Sequence, residues 1–97
     1  MKGKAYPHVS VDARVCGGAP RVAGTRITVA QIAEAVEHLG MNPDDVVALY
    51  PLLDLAKVHA ALTYYHDHAK AIEASIRRAQ RAEAGLRRRF PPGPSFS

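Results

Sequence analysis

The 97-residue sequence has no tryptophan, only one cysteine, and no apolar segment long enough to cross a bilayer. A membrane-spanning helix needs about 20 consecutive apolar residues, so we expect no membrane partner. The first thirty residues also lack the continuous apolar core of a signal peptide. Cys16 by itself cannot form an intramolecular disulfide, and no base lies at a recognisable spacing from it. These absences predict a protein of the reducing cytoplasm.

The sequence also lacks the residue groupings that support catalysis or the binding of a metal or cofactor. The glycines Gly17, Gly18 and Gly24 have neither the spacing of a phosphate-binding loop nor that of a dinucleotide fingerprint. His66 and His68 are two residues apart on a predicted helix, so they face different directions and do not form a ligand pair. We therefore expect no enzyme activity, no bound metal and no cofactor.

The charge is unevenly divided along the chain, although the net value is only +4. Residues 1–69 carry six Lys and Arg against seven Asp and Glu, whereas residues 70–90 carry seven against two. The positive field therefore belongs to the C-terminal part. A chain of this length buries only about 60 to 65 per cent of its unfolded surface, so we also expect association, most simply as a homodimer.

The N-terminal part alternates apolar and polar residues over 6–11, which predicts a short strand. Residues 21–22 and 26–28 flank a glycine-containing connection that is typical of a small β-hairpin. Thr28 and Gln31 predict a capping box at the start of a first helix, with Gly40 as its left-handed end. Its predicted buried stripe is Val29, Ile32, Ala33, Val36 and Leu39.

Two further helices follow. Asn42 predicts the cap of a short helix that ends near Tyr50, because Pro51 disfavours helical geometry in the residue before it. Asp54 predicts the cap of a third helix with apolar residues at heptad spacing, which indicates one long helix that frays around 83–85. Its predicted apolar positions are Leu55, Val58, Leu62, Tyr65, Ala69, Ile72, Ile76 and Ala79.

The lengths of the three helices and the tight turn before the third match a helix-turn-helix. In that arrangement the third helix presents its first residues to base edges, and basic residues of the hairpin contact phosphate. The candidate DNA-binding residues are Arg21, Arg26, Ala56, Lys57, Ala60 and Tyr64. Because DNA affinity comes largely from phosphate neutralisation and this face offers one lysine beside Asp54, a helical bundle that binds no DNA remains the alternative.

The basic C-terminal stretch predicts a second interaction surface. The apolar seam of Ile72, Ile76 and Ala79 continues beyond what a compact three-helix domain is expected to cover, so it should pair with a second copy or lie in a partner's groove. A solvated helix is the simpler alternative. Arginine outnumbers lysine six to one here, and its planar fork suits carboxylate or phosphate. The sequence does not separate these two ligands.

Two ordered motifs carry a resemblance to a known family. Residues 17–29 resemble the pattern GG-x-P-x-x-x-GTR-I-x-V of the bacterial proteins grouped as domain of unknown function 433, and Tyr50-Pro51 with residues 53–65 resembles the same family's YP-x-L-T…AAL-x-YY. Together the motifs cover residues 8 to about 68. The family's threonine is replaced here by Asp54, which still caps a helix. The resemblance implies a helix-turn-helix-like domain and an antitoxin encoded beside a toxin of the PIN-like nuclease type.

We therefore predict a mainly α protein with a helix-turn-helix-like domain and N-terminal hairpin over 1–68, a basic amphipathic helical arm over 69–90 and a disordered tail over 91–97. The expected function is that of an antitoxin that neutralises a PIN-like ribonuclease toxin and also binds operator DNA. The alternative is a protein-only adaptor that binds no nucleic acid. The predicted toxin-binding residues, inferred from the general layout of antitoxins, are Ile72, Ile76, Arg77, Arg78, Arg81, Arg87 and Arg88.

Overall fold

The computed structural model describes residues 6–89, without the side chains of Cys16 and of residues 86–89. Its elements in chain order are β1 Val9–Ser10, β2 Arg21–Val22, α1 Val29–Ala33 with a π-helical turn Glu34–His38, α2 Pro43–Leu49, α3 Leu55–Asp67 and α4 Ala69–Arg89. The predicted mainly helical fold with an N-terminal hairpin and a long C-terminal helix is confirmed. The predicted disordered tail, residues 91–97, lies outside the described residues.

The N-terminal strands form a small antiparallel ribbon. Val9 is paired with Val22 and Ser10 with Arg21, while Arg21 also bridges Thr28 on its other side. The backbone N–H of Val22 donates to the Ile27 carbonyl at 2.9 Å across the turn that contains Gly24. Gly24 has φ +79°, a left-handed conformation that costs glycine no steric penalty. The predicted hairpin is thus present, and the strand at 9–10 is added to it.

The starts of α1, α2 and α3 are the ones that the cap residues predict. Thr28 and Gln31 form a reciprocal capping box, and Asn42 and Asp45 form a second one. The Asp54 carboxylate accepts the Lys57 N–H at 2.9 Å. Each cap satisfies backbone N–H groups that have no partner within the helix.

The first helix departs from the predicted stripe after Ala33. A π-helical turn holds one more residue than an α-helical turn, so it rotates all later side chains around the helix axis. As a result Ala35 is buried and Leu39, expected in the core, is 69% exposed. The prediction was wrong for Leu39. Gly40 has φ +75° at the predicted helix end.

The predicted single long helix is two helices, and this changes the C-terminal half of the molecule. His68 has φ −132° and ψ 36° and separates α3 from α4. Its N–H donates to the carbonyls of both Tyr64 and Tyr65, and its own carbonyl accepts the Ile72 N–H at 3.0 Å. His68 therefore closes one helix and opens the next. The heptad spacing runs through the break without a glycine or proline, so the sequence gives no signal for it.

The break lets α4 lie against α1, where it completes the core. Ile72 is 3% exposed and Ile76 is 2% exposed, and both belong to the same buried cluster as residues of α1, α2 and α3. Gln80 also donates to the Glu34 carboxylate at 3.2 Å, one turn beyond Ile76. The prediction of an uncovered apolar seam was wrong at Ile72 and Ile76. The core therefore extends past residue 68, where the sequence placed a domain boundary.

Polar contacts join α1, α3 and α4 beside this core. The Glu73 carboxylate lies 2.9 Å from Nε2 of His38 and accepts the Tyr65 hydroxyl at 2.6 Å. These hydrogen bonds, that from Tyr65 first and then that from His38, lower the pKa of Glu73. The same hydrogen bond from the Tyr65 hydroxyl, with burial as a smaller cause, raises the pKa of Tyr65 to about 12. The Glu73 carboxylate thus connects α4 to α3 and to the π-helical turn that follows α1.

The Glu73 carboxylate should make the free energy of unfolding decrease at acidic pH. Because the folded-state pKa of Glu73 is below its unfolded value, its contribution is present above about pH 4.3 and is lost as the pH falls through the folded value. We expect the difference in unfolding free energy between wild type and Glu73→Gln to be largest near neutral pH and to shrink towards pH ~3. Urea titrations at several pH values measure this difference.

Glu37→Gln is the matched control, since Glu37 is an exposed glutamate next to His38 in the π-helical turn that follows α1. Its difference from wild type should change less with pH. Equal pH profiles for the two variants would contradict the assigned role of Glu73.

Candidate functional site

Two surfaces stand out among the described residues, and they carry opposite charge. The first, which we call the α2–α3 corner, is formed by the outer side of α2, the turn after it and the first turn of α3. It contains Asp44, Asp45, Ala48, Leu49, Leu52, Asp54, Leu55 and Ala56, all exposed. The second, the arginine arm, is residues 77–89 of α4, which follow the last core residue.

Leucines that face solvent are the unusual feature of the α2–α3 corner. Leu49 is 54% exposed, Leu52 is 70% exposed and Leu55 is 44% exposed, and all three lie within seven residues of chain. Leu55 was expected in the core. Its place is taken by Leu53, which precedes the Asp54 cap and, with Val58 four positions after the cap, occupies the positions of a hydrophobic staple. Clustered exposed apolar residues of this kind mark interaction sites.

The polar part of the α2–α3 corner is acidic. Asp44 and Asp45 lie in the first turn of α2, Asp54 caps α3, and the half-buried Lys57 is the cation beside them. Carboxylates lie at the start of each of these two helices because the N-terminal end of a helix dipole is positive. A phosphate backbone laid on this surface would meet three carboxylates and one ammonium group, which is the reverse of a phosphate-binding surface.

The predicted DNA-binding residues do not form one exposed surface, because two of them are held in contacts within the protein. The Arg21 guanidinium donates to the Thr25 carbonyl at 3.0 Å, within the hairpin turn. The Tyr64 ring stacks on His68 with centroids 4.1 Å apart and meets the Tyr6 ring edge-on at 4.7 Å. Both side chains therefore have structural contacts. The others are exposed or half-buried: Arg26, Ala56, Lys57 and Ala60.

The arginine arm presents the charge that the α2–α3 corner lacks. Every residue from 77 to 84 is exposed, including Arg77, Arg78 and Arg81. Nη2 of Arg78 donates to the Ser75 hydroxyl at 3.1 Å, and the Arg78 residue is exposed. The side chains of the predicted Arg87 and Arg88 lie outside the described part, although α4 includes their backbone.

Sequence reasoning found the arm but missed the acidic and apolar character of the α2–α3 corner. The available signal was the excess of carboxylates over residues 1–69. The described residues hold no grouping of three or more His, Cys, Asp or Glu side chains able to bind a metal. Within residues 6–89 no helix combines the length and apolarity needed to cross a membrane.

Comparisons with known proteins place the chain in a family. The model of the protein family of unknown function DUF433 matches residues 9–65, which include the hairpin, α1, α2 and α3 as far as Tyr65. A crystal structure of a DUF433 member protein from Anabaena variabilis has 30% sequence identity and a TM-score of 0.66, over 71% of this chain and 67% of that chain. No curated protein matches the sequence. The chain belongs to the DUF433 family of proteins of unknown function.

Proposed function

We propose that this protein is the antitoxin of a bacterial type II toxin–antitoxin pair and that it binds and neutralises a PIN-like ribonuclease toxin. The observation that carries the proposal is the arginine arm, which extends α4 beyond Ile76 and in which every residue from 77 to 84 is exposed. The resemblance of residues 17–29 and 50–65 implies an antitoxin and supports the proposal, and the family whose model matches is described as one of unknown function. The described residues carry two surfaces of opposite charge, the acidic α2–α3 corner and the arginine arm.

The arm offers a physical means of inhibition. Nucleases of this type cluster carboxylates around catalytic metal ions, and an arginine fork pairs with a carboxylate through two parallel hydrogen bonds. Arg77, Arg78 and Arg81 are exposed and close together on one helix, so they can enter such a site and displace RNA. Ile72 and Ile76 are in the core, so we assign the toxin contact to the arginines alone.

Co-expression with the product of the adjacent gene tests the proposal. We expect the two proteins to copurify and the triple variant Arg77→Gln, Arg78→Gln, Arg81→Gln to lose the complex. Lys70→Gln is the control, because Lys70 is an exposed cation of α4 outside the arm. Copurification that is equal for wild type and the triple variant would contradict a toxin-binding arm.

A protein-only interaction module is the second candidate function, and the α2–α3 corner favours it. The start of the third helix, which a helix-turn-helix would turn towards DNA, carries Asp54 and the exposed Leu55, and the exposed Leu49 and Leu52 precede it. Autorepression through operator DNA remains the sequence-based prediction, with the exposed Arg26 and the half-buried Lys57 as its predicted cations.

An electrophoretic shift with the upstream promoter fragment separates these alternatives. If the helix-turn-helix contacts DNA, the double variant Arg26→Ala, Lys57→Ala should weaken binding at low salt by about 10-fold or more, since each phosphate contact also contributes to the salt dependence. From the acidity of the α2–α3 corner we expect no such difference between the double variant and wild type. A lost shift in the double variant would support operator binding by the third helix.

A further inference from the structure

We propose that the α2–α3 corner binds the arginine arm of a second copy of this chain, so that two copies exchange arms in a symmetric homodimer. The proposal goes beyond neutralisation of a toxin, because it concerns association of the free protein. It follows from the apolar exposure of the corner, from its charge and from the position of the arm beyond the core.

The exposed leucines of the corner would be stabilised by contact with a partner. Leu49 at the end of α2, Leu52 in the turn and Leu55 at the start of α3 are each between 44% and 70% exposed. Burying apolar area stabilises a complex by about 25 cal/mol per Å² before the costs of association are subtracted. Three leucines at one turn are therefore a favourable place for a partner helix.

The charge of the corner selects the partner. Asp44 and Asp45 lie on α2 before Leu49, and Asp54 lies between Leu52 and Leu55 in the chain, so two corners placed face to face would bring six carboxylates together. This repulsion disfavours a dimer in which like corners meet. The partner segment must be basic and must offer apolar area to the leucines.

The arginine arm has both properties. Arg77, Arg78 and Arg81 are exposed, and Ala79 and Ala82 lie between and beside them with their methyl groups also exposed. An arginine stem packs along apolar surface while its guanidinium reaches a carboxylate, so one side chain can contact a leucine and an aspartate together. Small alanines let the helix approach the leucines closely.

The arm is also long enough to reach another molecule. Its thirteen residues extend α4 by about 20 Å beyond Ile76 at 1.5 Å per residue. Exchange of two arms makes two identical contacts related by a two-fold axis, and this closes the assembly as a dimer. Because the toxin contact proposed above uses the same arginines, the dimer contact and the toxin contact are alternatives for one arm.

Light scattering coupled to size exclusion tests the exchange with four proteins. Wild type should show twice the chain mass of 10.5 kDa. Leu52→Glu, which adds a charge to the corner, and the variant Arg77→Glu, Arg78→Glu, Arg81→Glu should each show the mass of one chain. Val11→Glu is the control, because Val11 is 59% exposed but lies beside β1, and it should remain dimeric. Circular dichroism verifies folding, and Leu52→Ser replaces Leu52→Glu if the latter does not fold.

Mixing the two monomeric variants makes the test specific. The corner variant keeps an intact arm and the arm variant keeps an intact corner, so one of the two contacts can form between them. We expect the mixture to associate at low salt and to separate as salt screens the charges. A monomeric wild type, a dimer that survives either variant, or a mixture that stays monomeric would each overturn the proposal.

Discussion

Replacing Ile76 by alanine should lower the unfolding free energy by about 2–5 kcal/mol, the usual cost when a large side chain is removed from a packed core. Ile76 is 2% exposed and lies in the buried cluster that α4 shares with α1. A domain of this size has about 5–15 kcal/mol of stability in total, so the variant loses a large fraction of it. Urea denaturation followed by circular dichroism measures the loss.

Ala79→Ser is the matched control for this experiment. Ala79 lies less than one turn further along α4 and is exposed, so its replacement should cost less than about 0.5 kcal/mol. If Ile76→Ala were equally mild, α4 would not be packed on α1. The seam would then be open to a partner, as the heptad spacing alone predicts.

Truncation after His68 should abolish cooperative folding, whereas truncation after Ala82 should leave the fold intact. The shorter chain loses Ile72 and Ile76 from the core and loses Glu73, which accepts the hydrogen bond from Tyr65. At about 2–5 kcal/mol for each isoleucine, this loss equals most of the stability of a small domain. The longer truncation keeps all three residues and also Gln80 with its contact to Glu34.

Thermal melts and amide proton spectra of the two truncated proteins measure this difference. The comparison also matters for function, because loss of toxin binding after truncation at residue 68 would report unfolding rather than removal of a contact. Truncation after Ala82 removes the distal arginines from a folded domain. A folded, cooperative protein ending at residue 68 would contradict the core described above.

Local signals in the sequence predicted the helix starts well. Thr28, Asn42 and Asp54 act within one turn of their own positions, so tertiary packing does not alter what they do. The end of α2 at Leu49 follows equally locally from Pro51. These residues set where α1, α2 and α3 begin and where α2 ends, whereas no local residue signals the end of α3.

Packing between distant elements decided the features that were not predicted. The break at His68 is compatible with the heptad spacing, but it forms where α4 turns to bury Ile72 and Ile76 against α1. The π-helical turn after Ala33 likewise has no local residue signal, and it moves Ala35 into the core in place of Leu39. In both places the free energy of burying side chains outweighs local helix preference.

One of the two candidate surfaces was predictable from the sequence and the other was not. The sequence alone predicts the arginine arm, because the charges of residues 70–90 can be counted without a structure. In the structure residues 77–84 are exposed. The sequence does not predict the α2–α3 corner. Leu52 and Leu53 are adjacent leucines, yet Leu52 is 70% exposed and Leu53 is 4% exposed. Only the turn geometry distinguishes them. Asp54 and the exposed Leu55 make the start of the predicted DNA-binding helix a candidate protein-binding surface.

Inhibition of the adjacent gene product in a ribonuclease assay tests the central proposal, neutralisation of a toxin by the arm, most directly. Wild type and Val11→Glu should both stop RNA cleavage at about one antitoxin chain for each toxin chain. The folded variant Arg77→Gln, Arg78→Gln, Arg81→Gln should need at least 10-fold more protein, since three charge-assisted contacts are lost. Cleavage that continues with wild type, or that the triple variant stops equally well, would contradict the proposal.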